Sequence, residues 1–210
     1  MEKSLIFDLD GTLWDATECV KDGWNEALSE DNINMKLSYE DVTSFQGLTL
    51  AEISEKLLPD FSAEQRKKSI YKCENDAIKI LRLRGGILYP DLLKTLTVLK
   101  KEYKLFLVSN CTKGYLDSFL DFHGTRKFFD DTECNGVTGL CKGENIKLIL
   151  KRNNLKSGIY IGDTEWDKTA ADYAGIPFVY ALYGFGKDAG YKYKIEKFSD
   201  LPEILKKIKF

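Results

Sequence analysis

Histidine is nearly absent from this chain, and its cysteines are scattered. The 210 residues include one histidine, His123, and five cysteines that form no C-x-x-C pair. A two-histidine metal site and a zinc-finger pattern are therefore excluded. An odd number of separated cysteines is typical of free thiols in a reducing compartment rather than of a disulfide framework.

Long apolar runs and an excess of one charge are also missing. The longest apolar segments have the length of strands, so the sequence offers no transmembrane helix. The first residues run into a strand-like segment without a signal-peptide core. A formal net charge of −2 gives no electrostatic reason to expect nucleic acid or an anionic membrane as partner. We expect a cytoplasmic protein, and its oligomeric state stays open.

The sequence instead alternates short apolar runs with helical patterns. Helix-period apolar residues recur between four strand-like runs, which cover residues 5–9, 104–108, 158–162 and 177–183. This alternation predicts an α/β fold with a doubly wound parallel sheet. In such sheets ligands bind at the carboxyl ends of the strands.

One long segment departs from this alternation. Residues 16–85 lack strand-like runs and carry apolar residues at helical spacing, such as Val20, Trp24 and Leu28. We predict three or four helices there, forming a small all-helical cap domain. The predicted α/β core domain then comprises residues 1–15 and 86–210.

Polar side chains follow three of the strand-like runs. The first run ends at Asp8 and Asp10, the second at Ser109 and Asn110, and the third at Asp163. Two carboxylates spaced two residues apart on a continuing strand point to the same side and repel each other. A hard divalent cation relieves that repulsion, and Mg²⁺ leaves room for a phosphate oxygen. The pattern therefore predicts a magnesium site at this edge of the sheet.

Positive charge and backbone donors are expected at the same edge. Lys142 precedes a predicted helix and can supply a fixed positive charge. The loop residues Gly11 and Thr12 can direct backbone N–H groups at an anion. Together these groups predict a site for an anionic ligand.

Four motifs stand in one order along the chain. They are DLDGT at residues 8–12, VSN at 108–110, Lys142, and GDTEWD at 162–167. This order closely resembles the haloacid-dehalogenase-like hydrolase superfamily, from Ser4 to about Gly186. A helical cap after the first motif and the ending ALYGFG at 181–186 resemble its phosphoglycolate-phosphatase-like subgroup.

The resemblance implies a phosphatase that works through an aspartyl-phosphate. Asp8 would attack phosphorus, and Asp10 would protonate the leaving oxygen and later deprotonate the hydrolytic water. Ser109, Asn110 and Lys142 would bind the phosphoryl group. The dehalogenases of this superfamily lack the second aspartate, because carbon–halogen cleavage requires no acid for the leaving group. Asp10 therefore favours phosphate ester chemistry.

The resemblance also implies the ligands of a magnesium ion. Asp8, the backbone carbonyl of Asp10, and Asp163 would hold Mg²⁺. Asp167, one helical turn after Asp163, would support the metal's waters or orient Lys142.

Three further residues carry finer expectations. Trp14, at the entrance to the predicted cap, could contact the substrate or belong to the core. Gly47, in the run SFQGLT, resembles the cap loop that faces the active site in this subgroup, although a plain turn also favours glycine. Gly143 follows Lys142 where the subgroup usually has proline, a departure that concerns the loop and not the charge.

The expected reaction is hydrolysis of a small phosphorylated metabolite, because a helical roof leaves a closed pocket. The substrate would be phosphoglycolate-like or sugar-phosphate-like. A phosphosugar mutase of the same superfamily is the alternative enzyme, although those mutases often have a shorter aliphatic residue at the position of Trp14. A further alternative is a catalytically inactive binding module. Such a module would lack at least one catalytic or metal-binding residue, and the sequence retains all four of them: Asp8, Asp10, Lys142 and Asp163.

Overall fold

A parallel β-sheet forms the centre of the fold. The computed structural model describes residues 3–187 and 189–208. Within that part the strands are β1 (Ser4–Phe7), β2 (Trp14–Asp15), β3 (Ile87–Leu88), β4 (Lys104–Ser109), β5 (Asp131–Cys134), β6 (Ile159–Gly162), β7 (Phe178–Ala181) and β8 (Lys194–Ile195). Six of them pair in the order β5-β4-β1-β6-β7-β8, and every pairing is parallel. The predicted α/β fold with a parallel sheet is confirmed.

Helices surround this sheet. In the same described residues they are α1 (Thr17–Glu30), α2 (Tyr39–Thr43), α3 (Leu50–Leu57), α4 (Ala63–Arg84), α5 (Leu92–Leu99), α6 (Lys113–Phe122), α7 (Asn135–Thr138), α8 (Lys142–Arg152), α9 (Glu165–Ala174) and α10 (Leu201–Leu205). None of the described helices combines the length and the apolar character that crossing a bilayer requires.

The sheet is buried on both faces. Along β1, Leu5 and Phe7 pack into one apolar cluster, whereas Ile6 packs into another on the opposite face. Helices α8 and α9 cover the face of Ile6, and α5, α6 and α10 cover the other face. Continuous apolar strands are therefore explained by helices on both sides of a parallel sheet.

Four helices, α1 to α4, lie between β2 and β3 and form what we call the helical insert. Strands β2 and β3 pair antiparallel, with Trp14 opposite Leu88, where the chain enters and leaves the insert. Gly23 lets α1 approach α4, since a Cβ at that position would lie 2.4 Å from the backbone nitrogen of Ala77. One apolar cluster runs from the insert into the core. The division into two domains at residues 15/16 and 85/86 stays a prediction.

Candidate active site

The carboxyl ends of three neighbouring strands bring the predicted residues together. Strand β1 lies between β4 and β6, so Asp8, Ser109 and Asp163 meet at one edge of the sheet. A cavity of about 80 Å³ opens there, between this edge and the helical insert. Its core side includes five predicted residues: Asp8, Asp10, Ser109, Asn110 and Lys142.

Lys142 joins two of the aspartates. Its Nζ donates to Oδ1 of Asp8 at 2.9 Å and to Oδ1 of Asp167 at 2.6 Å. Burial lowers the pKa of Lys142, but the charges of Asp167 and Asp8 outweigh it, so the pKa is raised and the ammonium keeps its proton. The lysine is therefore a fixed positive charge inside the site.

The aspartate cluster carries more negative charge than Lys142 compensates. Carboxylate oxygens of Asp8, Asp163 and Asp167, all buried, lie within 4.8 Å of one another. Burial and then the charge of Asp167 raise the pKa of Asp8 to about 7, and the same two causes raise the pKa of Asp163 well above its ordinary value. Three carboxylates and one ammonium leave a net charge of −2 when all are ionised, and a divalent cation would neutralise it.

The hydrogen bonds show which aspartates have room for a cation. Asp167 Oδ1 accepts from Lys142 at 2.6 Å, and its Oδ2 accepts from both the amide and the hydroxyl of Thr164. The Tyr160 hydroxyl lies 3.4 Å from Oδ1 but donates its proton to the Val108 carbonyl at 3.0 Å. From the described residues, each oxygen of Asp163 accepts one bond: Oδ2 from Phe185 N–H at 2.7 Å, and Oδ1 from the Thr12 hydroxyl at 3.3 Å. Since a carboxylate offers about four lone-pair sites, Asp163 retains more ligand capacity than Asp167, whose Oδ2 accepts two bonds and whose Oδ1 pairs with Lys142. The oxygen donor set suits Mg²⁺.

Asp10 is held by two side chains on the core side of the cavity. Its Oδ1 accepts from the Tyr115 hydroxyl at 2.6 Å and from Trp14 Nε1 at 2.9 Å. Burial raises the pKa of Asp10 to about 6, although both hydrogen bonds favour the ionised form. Tyr115 lies on α6, and nothing in its sequence neighbourhood marks it as a partner of Asp10.

Trp14 does not contact the cavity. The residue is fully buried, and its ring packs edge-on against Tyr115 and Phe119. Its indole N–H is already bonded to Asp10. Of the two alternatives for Trp14, the structure favours the core: the side chain is buried and holds Asp10 in position.

The loop of Gly11 and Thr12 differs from the expectation of an anion cradle. The Gly11 N–H donates to the carbonyl of Trp14 at 3.0 Å, and the Thr12 N–H donates to the carbonyl of Leu9 at 3.3 Å. The expectation that these two amides face an anion is wrong, because both close the turn itself. The Thr12 hydroxyl donates to Asp163 instead, at 3.3 Å.

Glycines allow two loops to enclose Asp163. Gly11 has φ +76°, and a Cβ there would lie 2.1 Å from Asp163 Oδ2. A Cβ at Gly184 would lie 2.3 Å from the Cβ of Asp163, and one at Gly186 would lie 1.9 Å from its carbonyl oxygen. The sequence marked ALYGFG only as the end of a strand, whereas its glycines permit this close approach.

The helical insert forms the roof of the cavity. Gly47, at φ +83°, lines the cavity, and its carbonyl accepts from Asn110 Nδ2 at 2.8 Å. Ser109 Oγ accepts from the backbone N–H of Cys111, which leaves its proton free to donate. Most of the remaining roof is apolar and comprises Val20, Trp24, Val42, Phe45, Leu48, Leu50 and Ile53.

The roof also contains a carboxylate that the sequence analysis missed. Glu74 on α4 is 6% exposed and accepts a hydrogen bond from the Thr112 hydroxyl at 2.6 Å. Burial, and to a smaller extent the charge of Asp10, raise the pKa of Glu74 to about 7. The residue lies in a charged stretch of α4, where the sequence pattern is that of a solvated face.

The glycine after Lys142 has a packing role. A Cβ at Gly143 would lie 2.7 Å from the Tyr173 ring, so glycine lets α9 approach the first turn of α8. Lys142 remains the first residue of α8 and reaches Asp8. Glycine at position 143, where the subgroup usually has proline, therefore does not displace the charge of Lys142.

These observations define an α/β protein with a parallel sheet and an aspartate–lysine cluster at its strand ends, beneath a helical roof. The model of the haloacid dehalogenase-like hydrolase family matches residues 5–181, and the chain belongs to that family. The predicted superfamily is thereby confirmed.

Relatives and a solved structure agree with this assignment. Phosphoglycolate phosphatase of Aquifex aeolicus (strain VF5) is 28% identical over 191 residues, which cover 87% of this chain and 86% of the relative. Phosphoglycolate phosphatase of Rhodobacter capsulatus is 27% identical over 227 residues, which cover 98% of this chain and 97% of the relative. A crystal structure from Clostridium acetobutylicum, described as a predicted phosphatase, superposes with TM-score 0.85 at 21% identity, over 99% and 100% of the two chains. The prediction of a phosphatase-type hydrolase is confirmed.

Proposed function

We propose that this protein is a magnesium-dependent phosphatase that hydrolyses a phosphomonoester of a small metabolite through an aspartyl-phosphate on Asp8. The substrate class is phosphoglycolate-like or sugar-phosphate-like. The observation that carries the proposal is the buried pairing of Asp8 with Lys142, next to Asp163 and open to the cavity. A carboxylate in that setting is an oriented nucleophile beside fixed positive charge.

Asp8 supplies the nucleophilic oxygen. Its Oδ1 is held by Lys142, and no other described side chain donates to the carboxylate. Attack forms a bond between an Asp8 oxygen and phosphorus while the bond from phosphorus to the leaving oxygen breaks. Water then attacks the aspartyl-phosphate, and inorganic phosphate leaves as Asp8 is regenerated.

Asp10 carries the proton in both steps. Tyr115 and Trp14 hold its Oδ1, so the other oxygen is available to the reacting groups. Because burial raises the pKa of Asp10 to about 6, the carboxyl can donate its proton to the leaving oxygen near neutral pH. The resulting carboxylate then accepts a proton from the attacking water.

Asp8 and Asp163 would hold the magnesium ion, together with the backbone carbonyl of Asp10. The bound ion supplies electrostatic stabilisation of the phosphoryl oxygens and lowers their repulsion by Asp8. Asp167 keeps Lys142 in place, since both of its oxygens are committed to protein donors. Lys142 and the Ser109 hydroxyl would stabilise charge on the phosphoryl group, while the apolar roof excludes bulk water.

Phosphate release with an aryl phosphate and Mg²⁺ tests the proposal. We expect activity in the wild type, its loss in Asp8→Asn, and unchanged activity in Asp60→Asn, which alters an exposed carboxylate of the insert. Acid quenching during turnover should trap phosphate covalently on the wild type and not on Asp8→Asn. An inactive wild type on a broad phosphate-ester panel would refute the proposal. Phosphate release without phosphosugar isomerisation would exclude the mutase alternative.

A further inference from the structure

Glu74 places a buried carboxyl group in the cavity, and this group carries a negative charge above about pH 7. It belongs to α4 of the roof, and it lines the same cavity as Asp8 and Asp10. The Thr112 hydroxyl donates to its Oε1. No described residue forms an ion pair with this carboxylate or donates a hydrogen bond to Oε2. A buried carboxylate with one neutral donor retains capacity for a further donor.

The cavity has no cation to spare for a second anionic group. Lys142 is the one positively charged side chain among the described residues that line it. Its ammonium already pairs with Asp8 and Asp167. A carboxylate on the leaving group would therefore lie near Asp10 and Glu74 without a counterion, an arrangement that disfavours binding.

Two of the described lining residues carry a buried polar atom without a hydrogen-bond partner: Asn110 Oδ1, an acceptor on the core side, and Trp24 Nε1, a donor in the roof. Asn110 uses its amide nitrogen on Gly47, and its Oδ1 is buried without a hydrogen-bond partner. The nearby roof is apolar and aromatic, with the rings of Trp24 and Phe45 stacked at 6.1 Å between centroids. Such a lining suits a short carbon chain that ends in a hydrogen-bond donor. An ammonium group would also be stabilised by a cation–π interaction with these aromatic rings.

We infer that Glu74 is a specificity-determining residue that selects leaving groups bearing a hydroxyl or ammonium donor and rejects those bearing a carboxylate. This inference rests on the proposed phosphatase function and narrows its substrate class. It favours polyol- or amino-alcohol-like phosphate esters over carboxylated ones, although the two relatives above are named for a carboxylated substrate.

A series of short-chain phosphate esters of similar length tests the inference without any mutation. The esters are 2-hydroxyethyl phosphate, phosphoethanolamine, n-propyl phosphate and phosphoglycolate, which end in a hydroxyl, an ammonium, a methyl group and a carboxylate, respectively. For wild type with Mg²⁺, we expect kcat/KM for both donor esters to exceed that for phosphoglycolate by about tenfold or more. The kcat/KM for n-propyl phosphate, which ends in a methyl group, should lie between that for phosphoglycolate and those for the two donor esters.

Glu74→Gln removes the charge at nearly constant shape. The variant should lower the ratio of kcat/KM for phosphoethanolamine to that for phosphoglycolate by about tenfold. Asp76→Asn is the matched control, since Asp76 lies on the same helix, pairs with Lys79 and is absent from the cavity lining. That control should leave the ratio unchanged.

The outcomes separate this inference from the proposed function. A wild type that prefers phosphoglycolate, or a ratio equal in wild type and Glu74→Gln, overturns the role of Glu74 while the phosphatase stands. Failure to hydrolyse every ester, including the aryl phosphate, overturns both. If Glu74→Gln does not fold, the wild-type series still decides the preference.

Discussion

The Lys142 ammonium lies 2.9 Å from Oδ1 of Asp8, and both side chains are almost completely buried. Their residues are 134 positions apart in the sequence, yet β1 and the first turn of α8 place them in direct contact. Because burial and the charge of Asp167 raise the pKa of Asp8, the lysine is the protein's own means of favouring the ionised carboxylate.

Replacing Lys142 with methionine should strongly impair phosphoryl transfer. The substitution removes fixed positive charge from the transition state, and the loss of one such group lowers kcat by about 10²- to 10³-fold. Steady-state phosphate release measures the effect. Lys151→Met, at an exposed position on the same helix, should leave kcat unchanged; a similar loss in both variants would show that the helix, not the buried charge, is responsible.

Removing the Tyr115 hydroxyl should shift the pH dependence. That hydroxyl donates to Asp10 and lowers its pKa, so Tyr115→Phe raises the pKa. If Asp10 is the acid for the leaving group, the alkaline limb of kcat/KM should move to higher pH. Tyr71→Phe, at an exposed tyrosine of the insert, is the control. An unchanged or lower-pH limb in Tyr115→Phe would contradict the assigned role of Asp10.

Magnesium should stabilise the protein more at alkaline than at acidic pH. The folded-state pKa of Asp8 is raised to about 7, so the stability that its protonated form contributes is complete below the unfolded-state pKa of about 3.9. That stability is lost as the pH rises through about 7, because the carboxylate ionises inside the cluster. A cation replaces the lost proton, and the magnesium-induced rise in Tm should therefore be larger at about pH 8 than at about pH 5.5.

Chelation provides the matching activity measurement. Removing divalent ions should abolish phosphate release, and added Mg²⁺ should restore it. In Asp8→Asn the magnesium-induced rise in Tm should shrink at both pH values, because one ligand and its charge are gone. A wild-type stabilisation that is independent of pH would argue against metal binding at this cluster.

Replacing Gly11 with alanine should damage the site more than the fold. A Cβ at this position would lie 2.1 Å from Asp163 Oδ2 and would displace that carboxylate. We expect phosphate release to fall and the midpoint of Mg²⁺ activation to rise. Gly124→Ala is a close control, because Gly124 also has positive φ (+60°) but no heavy atom would lie within 4 Å of its Cβ. Urea unfolding should show a cost of about 1 kcal/mol from backbone strain in the control, with activity retained.

The sequence predicts the sheet well where strands are buried and poorly at the edges. Strands β1, β4, β6 and β7 are apolar because helices cover both faces. Edge strand β5 reads DTEC, and Arg152 contacts its Asp131 and Glu133. Such a polar segment gives no strand signal, because its stability depends on partners distant in sequence.

The same contrast applies to the candidate site. Asp8, Asp10, Lys142 and Asp163 stand in ordered motifs, so the sequence alone indicates that they meet. Glu74 and Tyr115 lie on ordinary amphipathic helices, and only the packing of α4 and α6 against the strand ends brings them to the cavity. The backbone role of the Gly11 turn was missed for a related reason, since a glycine motif does not reveal where its amides point.

The β2–β3 ribbon links the roof mechanically to the acid–base residue. The ribbon joins the helical insert to the sheet, and its first residue, Trp14, also donates its indole N–H to Asp10. Any swing of the roof that bends this ribbon would pull on the hydrogen bond that aims the carboxyl group. Opening of the cavity to admit or release a ligand would then also displace the Asp10 carboxyl group. Asp10 would be correctly oriented for proton transfer only when the helical insert covers the cavity.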